Sequence, residues 1–134
     1  MRIKSDRTSF FLSGDAGNEA EKGLVASGEA LESLVLTAKL RRPASPIDRD
    51  FLVRVAPSVA IITSGIGSDN FAPLDRVDDF EGTRATVFRT DIDGATTATW
   101  DGYSLVVRTF RSSTETPPGR GAGPSLGAQL SPHR

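Results

Sequence analysis

The segment SVAIIT, residues 58–63, decides the fold that the sequence predicts. It is short, almost entirely apolar and rich in β-branched residues, which is typical of a strand in a sheet covered on both faces. Pro57 precedes the segment, and the glycine-rich loop SGIGSDN, residues 64–70, follows it. We therefore predict a buried strand at residues 58–63.

A helix is predicted immediately before this strand. Ser45 suits the N-cap, Pro46 suits the first helical position, and Pro57 closes the helix. Apolar residues recur between them at the spacing of one helical face, namely Ile47, Phe51, Leu52 and Val55.

Further strands and another helix are predicted nearer the N-terminus. SLVLTA, residues 33–38, indicates a buried strand, and TSFFLS, residues 8–13, indicates a strand that ends at Gly14-Asp15. Residues 17–27 suit a helix with acidic residues in its first turn. Residues 2–4 are predicted to be the tail of an earlier strand.

The segments after the glycine-rich loop predict a short helix and three strands. The helix covers residues 73–81, and the strands cover residues 84–90, 95–100 and 103–110. Asp101-Gly102 suits a two-residue hairpin turn between the last two strands. Strands that alternate with helices favour an α/β fold with a mixed sheet, to which the terminal hairpin adds an antiparallel edge.

Composition limits the number of domains and the class of partner. A chain of 134 residues fits one domain, which we place at residues 1–112, and the Pro- and Gly-rich residues 113–134 are predicted to be a flexible tail. The net charge of −1 gives no overall field toward nucleic acid or an anionic membrane. The absence of cysteine excludes disulfides and thiolate zinc sites. No apolar run approaches the ~20 residues that a membrane helix needs.

Four strings of the sequence occur in the same order as in a known family. They are SFFLSGDAGNEAE (9–21), LESLVLTAKL (31–40), SPIDRDFLVRVAPSVAIITSGIGSDN (45–70) and ATVFRTDIDGATTATWDGYSLVV (85–107). Together they resemble the C-terminal half of the metallo-β-lactamase-like domain of ComEC-type competence proteins, which take up DNA. The resemblance implies half of an αββα sandwich, with a mixed sheet and a terminal antiparallel hairpin.

The resemblance also implies what the chain lacks. Intact relatives are associated with metal-dependent hydrolysis of nucleic acid, with zinc or manganese bound, and Asp15 matches the aspartate that bridges their two metal ions. Their His-His-Gly-Ser loop falls on residues 39–42, which are Lys-Leu-Arg-Arg here, and their His-x-His-x-Asp-His loop has no counterpart. Because one carboxylate does not make a zinc site, we expect a truncated or degenerate domain that is catalytically incompetent alone and holds no cofactor. Intact relatives lie at the outer face of the cytoplasmic membrane. Because this sequence contains no membrane segment, we do not extend that location to this chain.

The candidate site residues follow the predicted strands. Asp15 is either a metal ligand, as the resemblance implies, or the cap of the helix that follows it. Lys39, Arg41 and Arg42 form a cationic cluster, which either contacts phosphate and makes DNA a partner or is a set of solvated loop charges.

Two further pairs of polar residues stand out. Asp69 and Asn70, in the glycine-rich loop, match the rim of the family's active site. Asp91 and Asp93 are compatible with paired carboxylates, although Asp-x-Asp-Gly between two strands is more simply a turn.

A lone half of a sandwich is expected to leave one apolar face of its sheet open. Such a face is adhesive, so we predict a homodimer or a partner chain, such as the missing N-terminal half, that covers it. The residues expected on the open face are Phe11, Leu34, Leu36, Val59 and Ile61, or their alternates. The alternative functions are a non-catalytic module that binds nucleic acid or protein as a scaffold, and a gene fragment without independent function.

Overall fold

A computed structural model of the chain describes residues 1–5, 7–39, 46–63 and 79–110, together with the backbone of residues 113–116. The described elements are, in chain order, β1 Arg2–Ser5, β2 Thr8–Leu12, α1 Asn18–Ala26, β3 Val35–Lys39, α2 Arg49–Val55, β4 Val59–Thr63, β5 Thr86–Arg89, the single helical turn α3 Thr90–Asp93, β6 Thr96–Trp100, β7 Leu105–Thr109 and β8 Ser113–Thr116.

The strands form two sheets. The larger sheet has the order β1-β2-β3-β4-β5, with β1 antiparallel to β2 and the other neighbours parallel. This confirms the predicted α/β class and the mixed sheet. The hairpin β6–β7 was expected at the edge of the same sheet, but with β8 it forms a separate antiparallel sheet.

One face of the larger sheet is covered by the helices. Phe11, Leu36 and Ile62 point from β2, β3 and β4 toward Phe51 and Leu52 of α2, and all five side chains are buried. The rings of Phe11 and Phe51 meet edge to face, with their centroids 5.3 Å apart. The apolar stripe that predicted the helix therefore packs on this face of the sheet and forms one of the two clusters of the core.

The opposite face is covered by the smaller sheet. Val35, Val59 and Ile61 point away from the helices, because side chains alternate along a strand, and pack with Leu105 and Val107 of β7. All five are buried. The expectation of an open apolar face was therefore wrong. An open face was the reason for predicting a homodimer or a covering partner chain, so this reason no longer supports that prediction. The chain covers this face with its own last strands.

The start of α2 differs from the prediction. Asp48, not Ser45, precedes the first helical residue, and its carboxylate accepts a hydrogen bond from the amide of Phe51 at 3.0 Å. Glu21 of α1, which is buried, accepts a hydrogen bond from the amide of Asp48 at 2.9 Å. These two contacts fix the start of the helix at Arg49, three residues after the predicted start at Pro46.

The hairpin turn is also shifted. Trp100 pairs with Leu105, and the amide of Asp101 donates to the carbonyl of Ser104 at 3.3 Å. The two central residues are therefore Gly102-Tyr103 rather than Asp101-Gly102. Gly102 has a φ of 101°, which a side chain would disfavour.

The domain was predicted to end at residue 112. Strand β8, at residues 113–116, lies beyond that point and pairs with β7. Residues 117–134 of the predicted tail, the loop 64–70 and most of the predicted helix 73–81 lie outside the described residues. Within the described ranges, no helix has the length and apolar character required to cross a membrane.

Candidate functional site

The carboxyl ends of the four parallel strands β2 to β5 meet at one edge of the larger sheet. We call this the carboxyl edge, and it includes Asp15 just after β2, Lys39 at the end of β3, Thr63 at the end of β4 and Arg89 at the end of β5. Ligands of open α/β sheets bind at this edge. It is also where the sequence placed its candidate residues.

Asp15 and Lys39 form an ion pair across β2 and β3. The Lys39 Nζ atom lies 2.8 Å from Asp15 Oδ1, and the side chains are 56% and 82% exposed. The amide and hydroxyl of Ser13 both donate to the carbonyl of Thr37, at 3.2 and 2.7 Å, which holds the chain after β2 beside β3. Because both charges are largely in water, the pair contributes less than about 1 kcal/mol to stability.

The structure contradicts one of the two interpretations of Asp15 made from the sequence, that it caps the helix that follows it. The N-cap of α1 is Gly17, and no side chain caps this end of the helix. Across the described ranges, no three His, Asp or Glu side chains come together as a metal site would require. Asp15 instead faces an ammonium group.

The other predicted site residues are not placed. Arg41, Arg42, Asp69 and Asn70 lie outside the described residues, as does His133, the chain's single histidine. Of the predicted set, the structure brings together Asp15 and Lys39.

Arg89 is a residue of this edge that the sequence reading missed. Its guanidinium donates to both carboxylate oxygens of Asp91, from Nε at 3.1 Å and from Nη2 at 2.6 Å. The two side chains are only 6% and 9% exposed. The hydrogen bond to Asp91 raises the pKa of Arg89 above its ordinary value, against the opposing effect of burial.

Asp91 and Asp93 have different roles in the structure. Asp93 accepts a hydrogen bond from the backbone amide of Arg89 at 2.7 Å and closes the helical turn α3. Asp91 neutralises the buried guanidinium. The sequence did contain a signal for this ion pair, because Arg89 precedes Asp91 by two residues at the end of a predicted strand. We interpreted Asp91 only as part of the Asp-x-Asp-Gly turn.

No family model, curated protein or solved structure matches this chain. The resemblance to ComEC-type domains therefore remains a prediction. The exposed charged groups that the structure places at the carboxyl edge include the ammonium of Lys39 and the carboxylate of Asp15. An ammonium group and a carboxylate in this setting can each form charge-assisted hydrogen bonds with a charged ligand.

Proposed function

We propose that this chain is a degenerate, non-catalytic relative of ComEC-type metallo-β-lactamase-like domains that binds DNA through the phosphate backbone at its carboxyl edge. The observation that carries the proposal is the 2.8 Å contact between Lys39 Nζ and Asp15 Oδ1. In the family that the sequence resembles, the matching aspartate holds two metal ions.

An ammonium group beside Asp15 supplies the positive charge that this carboxylate would otherwise take from a metal ion. It does so with one charge and with hydrogen-bond donors only, so it activates no water and polarises no phosphoryl oxygen as a Lewis acid does. A divalent ion would also have to displace Lys39 and would then find fewer than three His, Asp or Glu ligands among the described residues. Catalytic zinc needs three protein ligands.

The same lysine suits a phosphate contact. Lys39 is 56% exposed at the edge where α/β sheets bind ligands. A phosphate oxygen that approaches its ammonium group competes with Asp15 for the same donors. Binding is therefore expected to be weak, dependent on salt and limited by the neighbouring carboxylate.

The first test concerns catalysis. The purified chain, loaded with an excess of zinc or manganese and then desalted, is expected to retain no stoichiometric metal and to cleave neither single- nor double-stranded DNA. Bound metal with turnover would refute the non-catalytic assignment.

The second test concerns DNA binding, measured by fluorescence anisotropy with a labelled oligonucleotide across a salt series. We expect Lys39→Met to weaken binding and to flatten its salt dependence, because one phosphate contact is lost. Asp15→Asn should strengthen binding, since it removes the competing charge from Lys39. Lys4→Met is the matched control, because Lys4 is exposed and pairs with Ser9 near the start of β2, at the end of the strand opposite the carboxyl edge.

The direction of the Asp15→Asn effect is the sharpest readout. Loss of one negative charge anywhere on the surface also predicts tighter binding, but Glu29→Gln, at an exposed residue between the end of α1 and the start of β3, produces the same net charge change at the opposite edge of the sheet. Equal effects of the two substitutions, or an unaltered affinity in Lys39→Met, would contradict binding at the carboxyl edge.

A further inference from the structure

The strand β6 lies at the edge of the smaller sheet, with β7 on one side only. Two hydrogen bonds beyond its ends fix which backbone groups face β7, one from the amide of Phe110 to the carbonyl of Ala95 and one from the amide of Asp101 to the carbonyl of Ser104. Because hydrogen-bonded pairs alternate along an antiparallel ladder, Thr97 and Thr99 also point their amides and carbonyls toward β7.

The intervening residues Thr96, Ala98 and Trp100 therefore direct their amides and carbonyls outward. No hydrogen bond to these backbone groups is found among the described residues. The Ala98 and Trp100 side chains pack against the core between the two sheets, which holds the strand in place. Among the residues that the structure describes, none pairs with its outer edge, which presents a row of backbone donors and acceptors.

The sequence of this edge lacks the features that usually prevent pairing. Residues 94–100 are GATTATW, without a charge or a proline. One edge strand of the larger sheet, β1, differs, since it carries Arg2 and Lys4. Threonine and tryptophan favour extended backbone, which makes the β6 edge a template for another strand.

We propose that β6 pairs in antiparallel orientation with β6 of a second copy of this chain, about a twofold axis at Ala98. The outward groups permit this register, because Ala98 then faces Ala98 of the second copy and Thr96 faces its Trp100, with about six backbone hydrogen bonds. On the exposed face, Thr97 lies opposite Thr99 of the second copy. No like charges oppose one another, and threonine pairs are favourable across strands.

The partner is expected to be a second copy of the chain because the β6 edge is self-complementary. A twofold interface presents the same patch from both partners, and Thr97 and Thr99 are symmetric about Ala98. Five residues of edge bury far less area than the ~1,200 Å² of a stable interface. The expected dimer is therefore weak and forms only at high protein concentration.

The test measures the weight-average mass of the full chain by sedimentation equilibrium over a wide concentration range. Thr97→Lys with Thr99→Lys places two lysine pairs face to face in the dimer and should weaken association about tenfold or more. Thr97→Lys with Thr99→Glu places a lysine opposite a glutamate twice and should restore or strengthen association. Both double variants alter the same exposed positions, so each controls for the folding of the other.

Amide hydrogen exchange locates the interface. The amides of Thr96, Ala98 and Trp100 should become protected as concentration rises, whereas those of Thr97 and Thr99 should be protected at every concentration. A chain that stays monomeric at all concentrations would overturn the proposal. So would a dimer that the two double variants form equally well.

Discussion

Replacement of Asp91 by alanine should destabilise the fold more than any substitution of the exposed Asp15–Lys39 pair. Asp91 neutralises Arg89 through two hydrogen bonds, of 2.6 and 3.1 Å, and both side chains are almost entirely buried. The substitution leaves the guanidinium at the end of β5 without its bidentate partner.

The magnitude follows from burial. Removing one member of a buried ion pair costs about 3–5 kcal/mol, because the other charge is left desolvated. Arg89 lies at the edge of the sheet, and Asp93 also attracts its charge, so we expect a loss of about 3 kcal/mol, at the lower end of that range. An exposed pair such as Asp15–Lys39 should lose less than about 1 kcal/mol.

The measurement is urea unfolding followed by the fluorescence of the single tryptophan, Trp100. The double variant Arg89→Met with Asp91→Ala should lose clearly less than the sum of the two single variants, because no unpaired charge remains. A loss below about 1 kcal/mol for Asp91→Ala would indicate that the pair behaves like a surface pair, and would refute the view that Arg89 depends on it.

Two further predictions concern the smaller sheet. Leu105→Ala should lower the free energy of unfolding in urea by about 3 kcal/mol, because Leu105 is buried between the two sheets. Thr99→Ala, at an exposed position, is the control and should have almost no effect. An equally small loss for Leu105→Ala would indicate that the sheets do not pack. Asp101 accepts hydrogen bonds from the amides of Ser104 and Tyr103, which hold its pKa below the ordinary value of 3.8. The stability that Asp101 contributes is therefore present above pH 3.8 and lost as the pH falls through the lowered pKa. The difference in unfolding free energy between the wild type and Asp101→Ala should shrink in acid. A difference that grows in acid would contradict this assignment.

The sequence predicted the order of the main elements because each has a strong local pattern. SVAIIT became β4, and Phe51, Leu52 and Val55 became the buried face of α2. The start of α2 was missed because a local signal, Ser45-Pro46, competed with Asp48. The deciding contact comes from Glu21 on another helix, and no window of neighbouring residues contains it.

The covering of the sheet was missed for a different reason. Alternation along β7 predicts that Leu105 and Val107 share a face, but it does not say which surface that face meets. The site was predictable only in part. Asp15 and Lys39 follow neighbouring parallel strands, and opposite charges at such positions meet, whereas the burial of Arg89 depends on the turn α3.

The smaller sheet also changes what a resemblance to half of a sandwich implies for function. In the family, the first half of the domain supplies the sheet that packs on the second half. Here Leu105 packs with Val59 on that face, so a separate half could dock there only by displacing β6–β8 and exposing apolar surface, at a cost of roughly 25 cal/mol per Å². A partner that completes a metal site would therefore have to approach at the carboxyl edge, beside Asp15 and Lys39. The Asp15–Lys39 ion pair would have to open before Asp15 could serve there as a metal ligand.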